Sequence, residues 1–412
     1  MGGGVESARQ TLDPLFASGI VLLGSGKPVV LISVDWCEIR NDAYDRWREV
    51  IAQAARTDPV RVLVSSTHVH DAPVFDLEAQ RILDERGAPG KICDLKFHEE
   101  IVQRAAMSVK FAMRRAQAVT HFGVGQAKVE GVASNRRYLL PDGTVAFDRT
   151  SATRNVLAHA GEEGIVDPWL KTLSFWNGSK PMVALSCYAT HPMSYYGQGG
   201  VSSDFIGLAR WRRQQDDRQV AQIYFSGCSG NVTAGKYNNG DPANRAALAG
   251  RLYDGLTRAW QNTRREALRD VEFRSVSLRL EPRSGPGFTP AESEEVIRST
   301  ASSFKQNLAA LNLSWLKRSD ARRMIDVPML DLGEAQFLLL PAESYVEYQL
   351  HAQALRPGSL VIVAGYGECA PGYIPTDVAW QEGDSNLRDW CWVAPGAEKS
   401  MKLALQQLLK PR

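Results

Sequence analysis

The segment Val60–Pro73, with the sequence VRVLVSSTHVHDAP, decides how the whole chain is interpreted. Its apolar, β-branched beginning predicts a buried strand. His68 and His70 follow, and side chains two residues apart point the same way as long as a strand continues. The chain has only seven histidines, and two of them aim at one point from this strand end. The pair therefore predicts a site to which the rest of the chain supplies partners.

Length, composition and charge indicate a globular protein with a sizeable core. The 412 residues, 44% of them hydrophobic, suffice for one large α/β unit or two domains. The formal net charge of +2, from 48 basic and 46 acidic residues, lacks the basic excess of nucleic-acid-binding proteins. No apolar run approaches the ~18–20 residues of a membrane helix, and the start MGGGVESARQ lacks the pattern of a signal peptide. We therefore expect no nucleic-acid partner and no transmembrane segment.

Neither the cysteines nor the early glycine-rich turn predicts a binding site. The six cysteines are scattered without a CxxC pair, which excludes a disulfide scaffold and a structural zinc site. Most of them are expected to be small buried hydrophobic residues. The turn Gly24–Pro28 does not match a phosphate-binding loop, because Val21 replaces the first glycine and Pro28 the final Ser or Thr. It predicts a hairpin between strands at residues 20–23 and 29–34.

Helices and strands alternate along the chain, which predicts an α/β fold. Residues 42–56 have the apolar spacing of an amphipathic helix and lead into the opening strand. Residues 291–312 predict another helix, and Pro341–Glu343 predicts the start of a further one. The polar stretch 131–167 has no clear periodicity, and long loops of this kind are often functional. Because no repeat or linker divides the chain, we expect a single domain over residues 1–412.

Five predicted strands end in side chains suited to catalysis or binding. These strand ends carry His68 with His70, His191, the turn Gly227–Asn231, Glu343 and the stretch Tyr366–Tyr373. In α/β folds, sites collect at the carboxyl ends of strands, so these residues can meet at one place. The sequence therefore predicts a single site at the strand ends.

Histidines combined with a carboxylate are typical ligands of a catalytic zinc ion. Such a site has about three or four N or O ligands, keeps a position for water, and lowers the pKa of that water from ~15.7 towards ~7. Structural interpretations stand beside this one: the histidine pair can bond to backbone, and His191 can simply end a strand before Pro192. Glu343 can serve a helix dipole, Tyr373 can be a core residue, and Arg136 a surface charge.

The segment Ser66–Pro73 is similar to the S/G-T-H-T-H-S-G-P segment of the neutral ceramidases. Further blocks resemble that family in the same order along the chain. They are Asn135-Arg136 (N-R), Tyr188–Ser194 (F-A-x-H-P-x-S), Ser202–Asp204 (S-x-D), Gly230–Thr233 (G-D-V-S), Pro341–Glu343 (P-G-E) and Gly372–Thr376 (Y-V/I-x-T). Together these blocks span most of the chain.

The resemblance implies a zinc-dependent amidohydrolase with one zinc ion (Zn²⁺) per chain. In that family a zinc ion hydrolyses the amide of N-acylsphingosine, so we expect a small-molecule or lipid-like N-acyl substrate. His68, His191, Glu343 and Tyr373 would be the metal ligands. The implied fold class is α/β, with mixed sheets, flanking helices and the zinc site at the strand ends.

The resemblance also implies three catalytic roles. His70 would lie beside the metal as an acid or base, and in its protonated form it would assist departure of the amine. Arg136 would hold the developing oxyanion, a role worth about 3–4 kcal/mol for a single donor. Thr233 would stand near the reacting carbonyl.

The chain departs from the family pattern close to the expected metal. Asp71 stands where the family has serine, Asn231 replaces an aspartate, and Ser385 occupies the place of a tyrosine. Too few residues follow Tyr373 for the family's C-terminal immunoglobulin-like domain, and an opening strand is absent. Ceramide itself, the role of Asp71 and the oligomeric state are therefore left open. The sequence as it stands predicts a cytoplasmic protein, whereas a truncated start would allow secretion.

Three other functions are compatible with the same residues. The metal site could serve a zinc-dependent esterase or deacylase with another substrate, or the chain could be a non-catalytic binding protein that retains the fold. A serine hydrolase would use Ser226 or Ser229 with a histidine, but Gly227–Gly230 lacks the G-x-S-x-G spacing. Bound zinc with a water would favour an enzyme, and a pocket filled by side chains would favour a binding protein.

Overall fold

The computed structural model describes residues 7–24 and 26–410. Residues 1–6, at the start considered above, and Ser25 of the predicted hairpin turn lie outside the described part. The helices of that part are α1 (Asn41–Ala55), α2 (Leu77–Glu85), α3 (Leu95–Met113), α4 (Val156–Ala160), α5 (Asp204–Asp216), α6 (Ala243–Gln261), α7 (Pro290–Ser299), α8 (Ser303–Asp320), α9 (Val346–Ala354), α10 (Asp377–Gln381) and α11 (Ala397–Leu408).

The strands form three larger sheets and several two-residue pairs. The larger sheets, in spatial order, are β2 (Ala17–Gly24), β3 (Gly26–Val34), β5 (Val62–Ser66); then β14 (Ala221–Ser226), β12 (Lys180–Tyr188), β11 (Trp169–Asn177), β7 (His121–Lys128), β16 (Arg264–Ala267); and β17 (Glu272–Leu278), β18 (Ile325–Asp331), β19 (Ala335–Leu339), β21 (Leu360–Ala364). The short pairs are β1 (Gln10–Thr11) with β13 (Gly200–Val201), β4 (Glu38–Ile39) with β6 (Val74–Phe75), β8 (Ser134–Asn135) with β15 (Val232–Thr233), β9 (Tyr138–Leu139) with β10 (Val145–Ala146), and β20 (Glu343–Ser344) with β22 (Tyr373–Ile374).

Each larger sheet mixes parallel and antiparallel neighbours. The pairs β3–β5, β12–β14 and β19–β21 are parallel. The pairs β2–β3, β11–β12 and β17–β18 are antiparallel. Helices flank these sheets, which confirms the predicted α/β class with mixed sheets. The predicted hairpin between residues 20–23 and 29–34 is also confirmed as β2 and β3.

The three larger sheets share one apolar core and meet at their carboxyl ends. Leu63 of β5, Phe225 of β14 and Phe337 of β19 belong to the same buried cluster. Beyond it, the backbone N–H of Ser66 donates to Tyr366 O at 2.9 Å, and the hydroxyl of Ser226 donates to Thr67 O at 2.7 Å. These bonds tie the ends of parallel strands from different sheets together. The polar residues that follow the strands are therefore brought to one place, as the sequence predicted.

Helix α1 confirms the amphipathic helix predicted at residues 42–56. Trp47 and Ile51 lie four residues apart on one helix face, both fully buried in a cluster with Val64 of β5. Burial of such a side chain contributes about 1.5–3 kcal/mol to folding. The helix ends at Arg56, whose φ of 56° is left-handed. This packing fixes the strand that leads to His68.

Two of the predicted helices are wrong in detail. The helix expected over residues 291–312 is two helices, α7 and α8, because Ser302 begins the second one by accepting the N–H of Lys305. Pro341–Glu343 does not start a helix. Glu343 belongs to the short strand β20, and α9 begins only at Val346. The interpretation of Glu343 as a carboxylate that interacts with a helix dipole is therefore wrong.

The long stretch 131–167 is not wholly irregular. It contains β8, β9 and β10 and the short helix α4, joined by loops.

Within residues 7–24 and 26–410, no helix is long and apolar enough to cross a membrane. A single domain over residues 1–412 stays a prediction.

Candidate metal centre

The backbone at the centre leaves regular strand geometry at three points. His68 has a φ of 64°, Ala342 of 49° and Tyr366 of 58°. Side chains with a Cβ rarely adopt this left-handed conformation, and residues that do so cluster at functional sites. Strand β5 has already ended at Ser66. The simple alternation expected to aim His68 and His70 the same way is therefore wrong, and the turn itself places each ring.

Three acceptor atoms from distant parts of the chain converge in the interior. His68 Nε2 lies 3.0 Å from His191 Nε2. Glu343 Oε2 lies 3.3 Å from the first of these nitrogens and 3.4 Å from the second. All three residues are at least 97% buried. We call His68, His191 and Glu343 the acceptor triad.

The other ring nitrogens of the triad fix which atoms face inward. His68 Nδ1 lies 2.9 Å from the backbone carbonyl of Cys37, and His191 Nδ1 lies 2.9 Å from that of Ser229. A carbonyl only accepts hydrogen bonds, so each Nδ1 carries a proton and each neutral ring presents an unprotonated Nε2. Two lone pairs and a carboxylate oxygen then face one another, and a cation between them relieves their repulsion.

The triad fits a zinc ion. Ligand atoms at about 2.0–2.1 Å from tetrahedral zinc lie about 3.3 Å from one another, close to the separations within the triad. Glu343 Oε2 has no hydrogen-bond donor among the described residues, although buried carboxylates are normally satisfied. Imidazole nitrogens and carboxylate oxygens are also the ligand types that zinc takes. The donor set, the spacing and the unsatisfied oxygen therefore agree.

The two rings of the triad respond oppositely to their surroundings in the metal-free chain. Burial works against a charge on His68, but Cys37 and Glu343 overcome this and raise its pKa well above the ordinary value. Burial, with Arg136 and the neighbouring histidines, lowers the pKa of His191 well below it. In the metal-free chain these directions place one additional proton on His68, at the Nε2 that faces His191 and Glu343.

His70 lies beside the triad without belonging to it. Its ring centroid is 4.9 Å from that of His68 and 5.4 Å from that of His191. Both of its nitrogens are buried and have no hydrogen-bond partner among the described residues. Burial, then His68 and Arg136, lower its pKa well below the usual range. The ring is therefore neutral, with one nitrogen that carries a proton and one that can accept a hydrogen bond.

Arg136 connects the triad to Tyr373. Its Nη1 donates to Tyr373 Oη at 2.8 Å and to Asn386 Oδ1 at 2.9 Å, and its Nη2 lies 3.5 Å from His191 Nε2. Burial acts to lower the pKa of Arg136, but Tyr373 and Glu343 raise it above the usual value, so the guanidinium stays charged. Tyr373 pairs with Glu343 across β20 and β22. The predicted surface role of Arg136 is wrong, since 94% of the side chain is buried.

Thr233 occupies a different position from the other predicted residues. Its hydroxyl accepts the N–H of Gly235 at 3.1 Å and lies 3.4 Å from Thr150 O. The link between its strand and the centre is made by the neighbouring residue, since the Val232 carbonyl accepts the N–H of His191 at 2.8 Å. A place for Thr233 near a reacting carbonyl stays a prediction.

The two serines of the alternative hydrolase lie near the centre but are otherwise engaged. Ser226 Oγ donates to Thr67 O, and Ser229 Oγ bonds the phenol of Tyr366 at 2.7 Å. Neither hydroxyl meets a histidine nitrogen, as an activated serine nucleophile requires. The structure therefore disfavours that alternative.

Sequence reasoning missed several residues that position the triad. Cys37 acts through its carbonyl, which leaves no mark in a sequence. Tyr366 stacks on His68 with ring centroids 4.2 Å apart, and Asn386 holds Arg136. Tyr366 and Ser229 lie at predicted strand ends, and this position could have identified them from the sequence. No sequence feature marked Asn386 as part of the site.

Asp71 has a partner other than His70. Its Oδ1 accepts the N–H of Gly197 at 2.9 Å, and its Oδ2 lies 3.3 Å from Arg245 Nη2. Because both nitrogens of His70 lack a partner in the described part of the chain, Asp71 does not orient that ring by a hydrogen bond.

Comparison with known proteins is informative at the level of structure. No model of a protein family matches the sequence, and the search of curated proteins gives no match either. The solved structure of a neutral ceramidase from Pseudomonas aeruginosa matches with a TM-score of 0.65 and 17% identity, over 93% of this chain and 67% of that one. A ceramidase complexed with C2 matches with a TM-score of 0.68 and 17% identity, over 95% of this chain and 69% of that one.

A sequence identity of 17% supports a shared fold but does not support a shared activity. The aligned region nevertheless includes almost the whole chain, and the acceptor triad stands at the strand ends where the sequence blocks predicted a site. The resemblance expected from the sequence is thereby confirmed at the level of architecture: the chain has the neutral ceramidase fold.

Proposed function

We propose that this chain is a zinc-dependent hydrolase that cleaves the amide bond of an N-acyl amine. The observation that carries the proposal is the acceptor triad, in which two imidazole nitrogens and an unsatisfied carboxylate oxygen converge within 3.0–3.4 Å. The two similar solved structures described above are named as ceramidases, which supports an amide as the bond cleaved.

His68, His191 and Glu343 would hold the ion, with Tyr373 as the proposed fourth ligand. When bound, zinc supplies Lewis acidity and a water whose pKa falls from ~15.7 towards ~7. Hydrolysis adds water across the amide C–N bond and yields a carboxylate and an amine. The carbonyls of Cys37 and Ser229 hold the two imidazoles in the required tautomer.

His70 would move the proton between water and the leaving group. As a neutral ring with two unpartnered nitrogens, it can take a proton from the attacking water and pass it to the amine nitrogen as the C–N bond breaks. The charged Arg136, 3.5 Å from His191 Nε2, would stabilise the oxyanion of the tetrahedral state. A single preorganised donor in such a role contributes about 3–4 kcal/mol.

An apolar groove supports a lipid-like acyl amine as the substrate. It has a volume of about 880 Å³ and runs between β2 and α3. Ile32, Trp36 and Ile101 are among the apolar side chains that line it, and Pro73, three residues beyond His70 in the sequence, is another lining residue. A long alkyl chain would bury apolar surface there at about 25 cal/mol per Å².

Metal content and activity test the proposal together. Protein purified without added metal should contain about one zinc per chain, and a chelator should abolish hydrolysis of N-acyl amines until zinc is restored. A panel of acyl amines with graded chain lengths, set beside the matching esters, separates an amidase from an esterase or deacylase. Zinc near zero would remove the metal site, whereas zinc without turnover on any member would favour a binding protein.

A further inference from the structure

The residues of the proposed centre differ in their exposure to solvent. His68, His191 and Glu343 are each at most 3% exposed, and Arg136 is 6% exposed. Tyr373 is likewise buried. Of these residues and His70, only His70 is partly exposed. The side of the centre at His70 is therefore one approach from solvent.

Tyr196 is the aromatic side chain at that approach. Its ring lies edge-on to His70, with centroids 5.3 Å apart and planes 62° apart. It is 41% exposed, and no described hydrogen bond engages its hydroxyl. The Tyr196 ring thus contacts His70, the proposed proton carrier, and is also partly exposed to solvent.

The backbone on both sides of Tyr196 is held in place. Arg245 Nη2 donates to the Tyr195 carbonyl at 2.7 Å, and the guanidinium lies 3.7 Å above the Tyr195 ring. Asp71 Oδ1 accepts the N–H of Gly197 at 2.9 Å. Gly197 itself has a φ of 79°, a conformation that glycine adopts without strain. These contacts fix the backbone from which the Tyr196 side chain projects.

We propose that Tyr196 is a specificity-determining residue whose ring contacts the amine part of the substrate. This rests on the proposed function, in which His70 delivers a proton to the departing amine nitrogen. A group bonded to that nitrogen must lie beside the His70 ring, and Tyr196 is the aromatic surface there. An aromatic face rewards an apolar amine and gains little from a small polar one. The substrate class selected is an N-acyl amine whose amine carries an apolar body.

The kinetic test compares Tyr196→Ala and Tyr196→Phe with the wild type. Two substrates share one acyl group and differ in the amine, which is a long alkylamine in one and ethanolamine in the other. Tyr196→Ala should reduce the preference for the alkylamine substrate in kcat/KM by about tenfold, mainly through KM. Tyr196→Phe should keep the preference. Trp211→Ala, which removes another exposed aromatic ring from α5, is the matched control and should match wild type.

A second measurement needs no turnover. Diethylpyrocarbonate acylates accessible histidine nitrogens, and peptide mapping reports each histidine separately. Tyr196→Ala should raise the modification of His70 several-fold, whereas Tyr196→Phe should not, with His121 as the internal reference. This readout reports whether the ring covers His70.

The outcomes separate the two proposals. Unchanged amine preference in an active Tyr196→Ala enzyme overturns the role of Tyr196, and so does unchanged His70 reactivity. If the wild type hydrolyses no acyl amine, the proposed function fails and the amine assignment falls with it. The reactivity of His70 then decides alone whether Tyr196 guards this ring.

Discussion

Two buried polar clusters lie side by side in this fold and satisfy their acceptors in opposite ways. In the Arg245 cluster, the guanidinium donates to Ser194 Oγ at 2.9 Å and lies 3.3 Å from Asp71 Oδ2 and 3.4 Å from Asp204 Oδ2. In the acceptor triad, the converging atoms lie 3.0–3.4 Å apart and Arg136 only touches the edge, 3.5 Å from His191.

The difference identifies which cluster needs a ligand. Burying a carboxylate is costly unless a positive charge or donors compensate it. The chain supplies that charge to Asp71 and Asp204 itself, through Arg245. It leaves Glu343 Oε2 without a donor in its described part. His70 and Asp71 are neighbours in the sequence but belong to different clusters. Asp71 is part of the Arg245 cluster, which supplies its own positive charge, whereas His70 lies beside the acceptor triad, which an external cation would complete.

The largest expected effect is the loss of metal on His191→Ala. The proposed zinc ligands include only two imidazoles, those of His68 and His191, and this variant removes one of them. Zinc per chain should fall from about one to near zero while circular dichroism stays native. Because a bound ligand stabilises only the folded state, chelator should lower the Tm of the wild type and leave that of the variant unchanged.

His159→Ala is the matched control for that experiment. His159 lies on α4 and bonds to backbone carbonyls of Thr153 and Lys236, away from the triad. Its zinc content should equal that of the wild type. A His191→Ala protein that keeps one zinc per chain would show that His191 is not a ligand.

The strand ends predicted that His68, His191 and Glu343 meet at one site, and the family resemblance selected them as metal ligands. His68 and His191 come directly after β5 and β12, and parallel strands bring their carboxyl ends together. The turns themselves were not predictable: the positive φ of His68 and the strand at Glu343 depend on bonds to distant backbone, such as Ser66 N–H to Tyr366 O. Local propensity contains no information on such partners.

The Arg245 cluster could not be predicted from the sequence for a related reason. Asp71 and Arg245 are 174 positions apart, and an arginine inside a helix is most simply read as a solvated surface charge. Adjacency along the chain would place the Asp71 carboxylate beside His70. In the fold, its carboxylate turns to Arg245 and Gly197 instead.

The next effect in size is on stability. Arg245→Ala should lower the free energy of unfolding by about 3–5 kcal/mol, because it leaves Asp71 and Asp204 buried without a compensating charge. Urea unfolding at neutral pH measures this. Arg251→Ala, on the same helix but with an exposed bond to Gly131 O, should change the stability by less than about 0.5 kcal/mol. A loss in Arg245→Ala no greater than in this control would contradict a structural role for the cluster.

Arg136→Ala should affect turnover and leave the metal in place. The guanidinium is proposed to stabilise the oxyanion, so its loss should reduce kcat by about 10²–10³-fold. Zinc content should stay at that of the wild type, since Arg136 is not a ligand. The neighbouring Arg137 pairs with Glu382 at the surface, so Arg137→Ala is the matched control and should retain activity. Unchanged turnover in Arg136→Ala would remove this residue from the mechanism.

The smallest effect concerns His98, a buried histidine outside the proposed metal site on which burial outweighs the opposing charge of Glu99. It packs against Trp36 and Phe75, and burial lowers its pKa from 6.5 to about 4. Since the folded pKa lies below the unfolded one, the unfolded chain binds the proton more readily. The stability contributed by the neutral ring is thus complete above pH 6.5 and decreases as the pH falls from 6.5 towards 4.

Between pH 7 and pH 5 the wild type should lose about 2 kcal/mol through His98. His98→Phe keeps an aromatic ring without a titrating nitrogen, so its stability should fall by correspondingly less over the same interval. Urea unfolding of both proteins at the two pH values gives the difference. Equal losses would mean that His98 does not titrate differently on folding. A smaller loss in His98→Phe would show that a histidine buried in an apolar pocket stays neutral, in contrast to the triad, where the surrounding acceptors favour a positive charge.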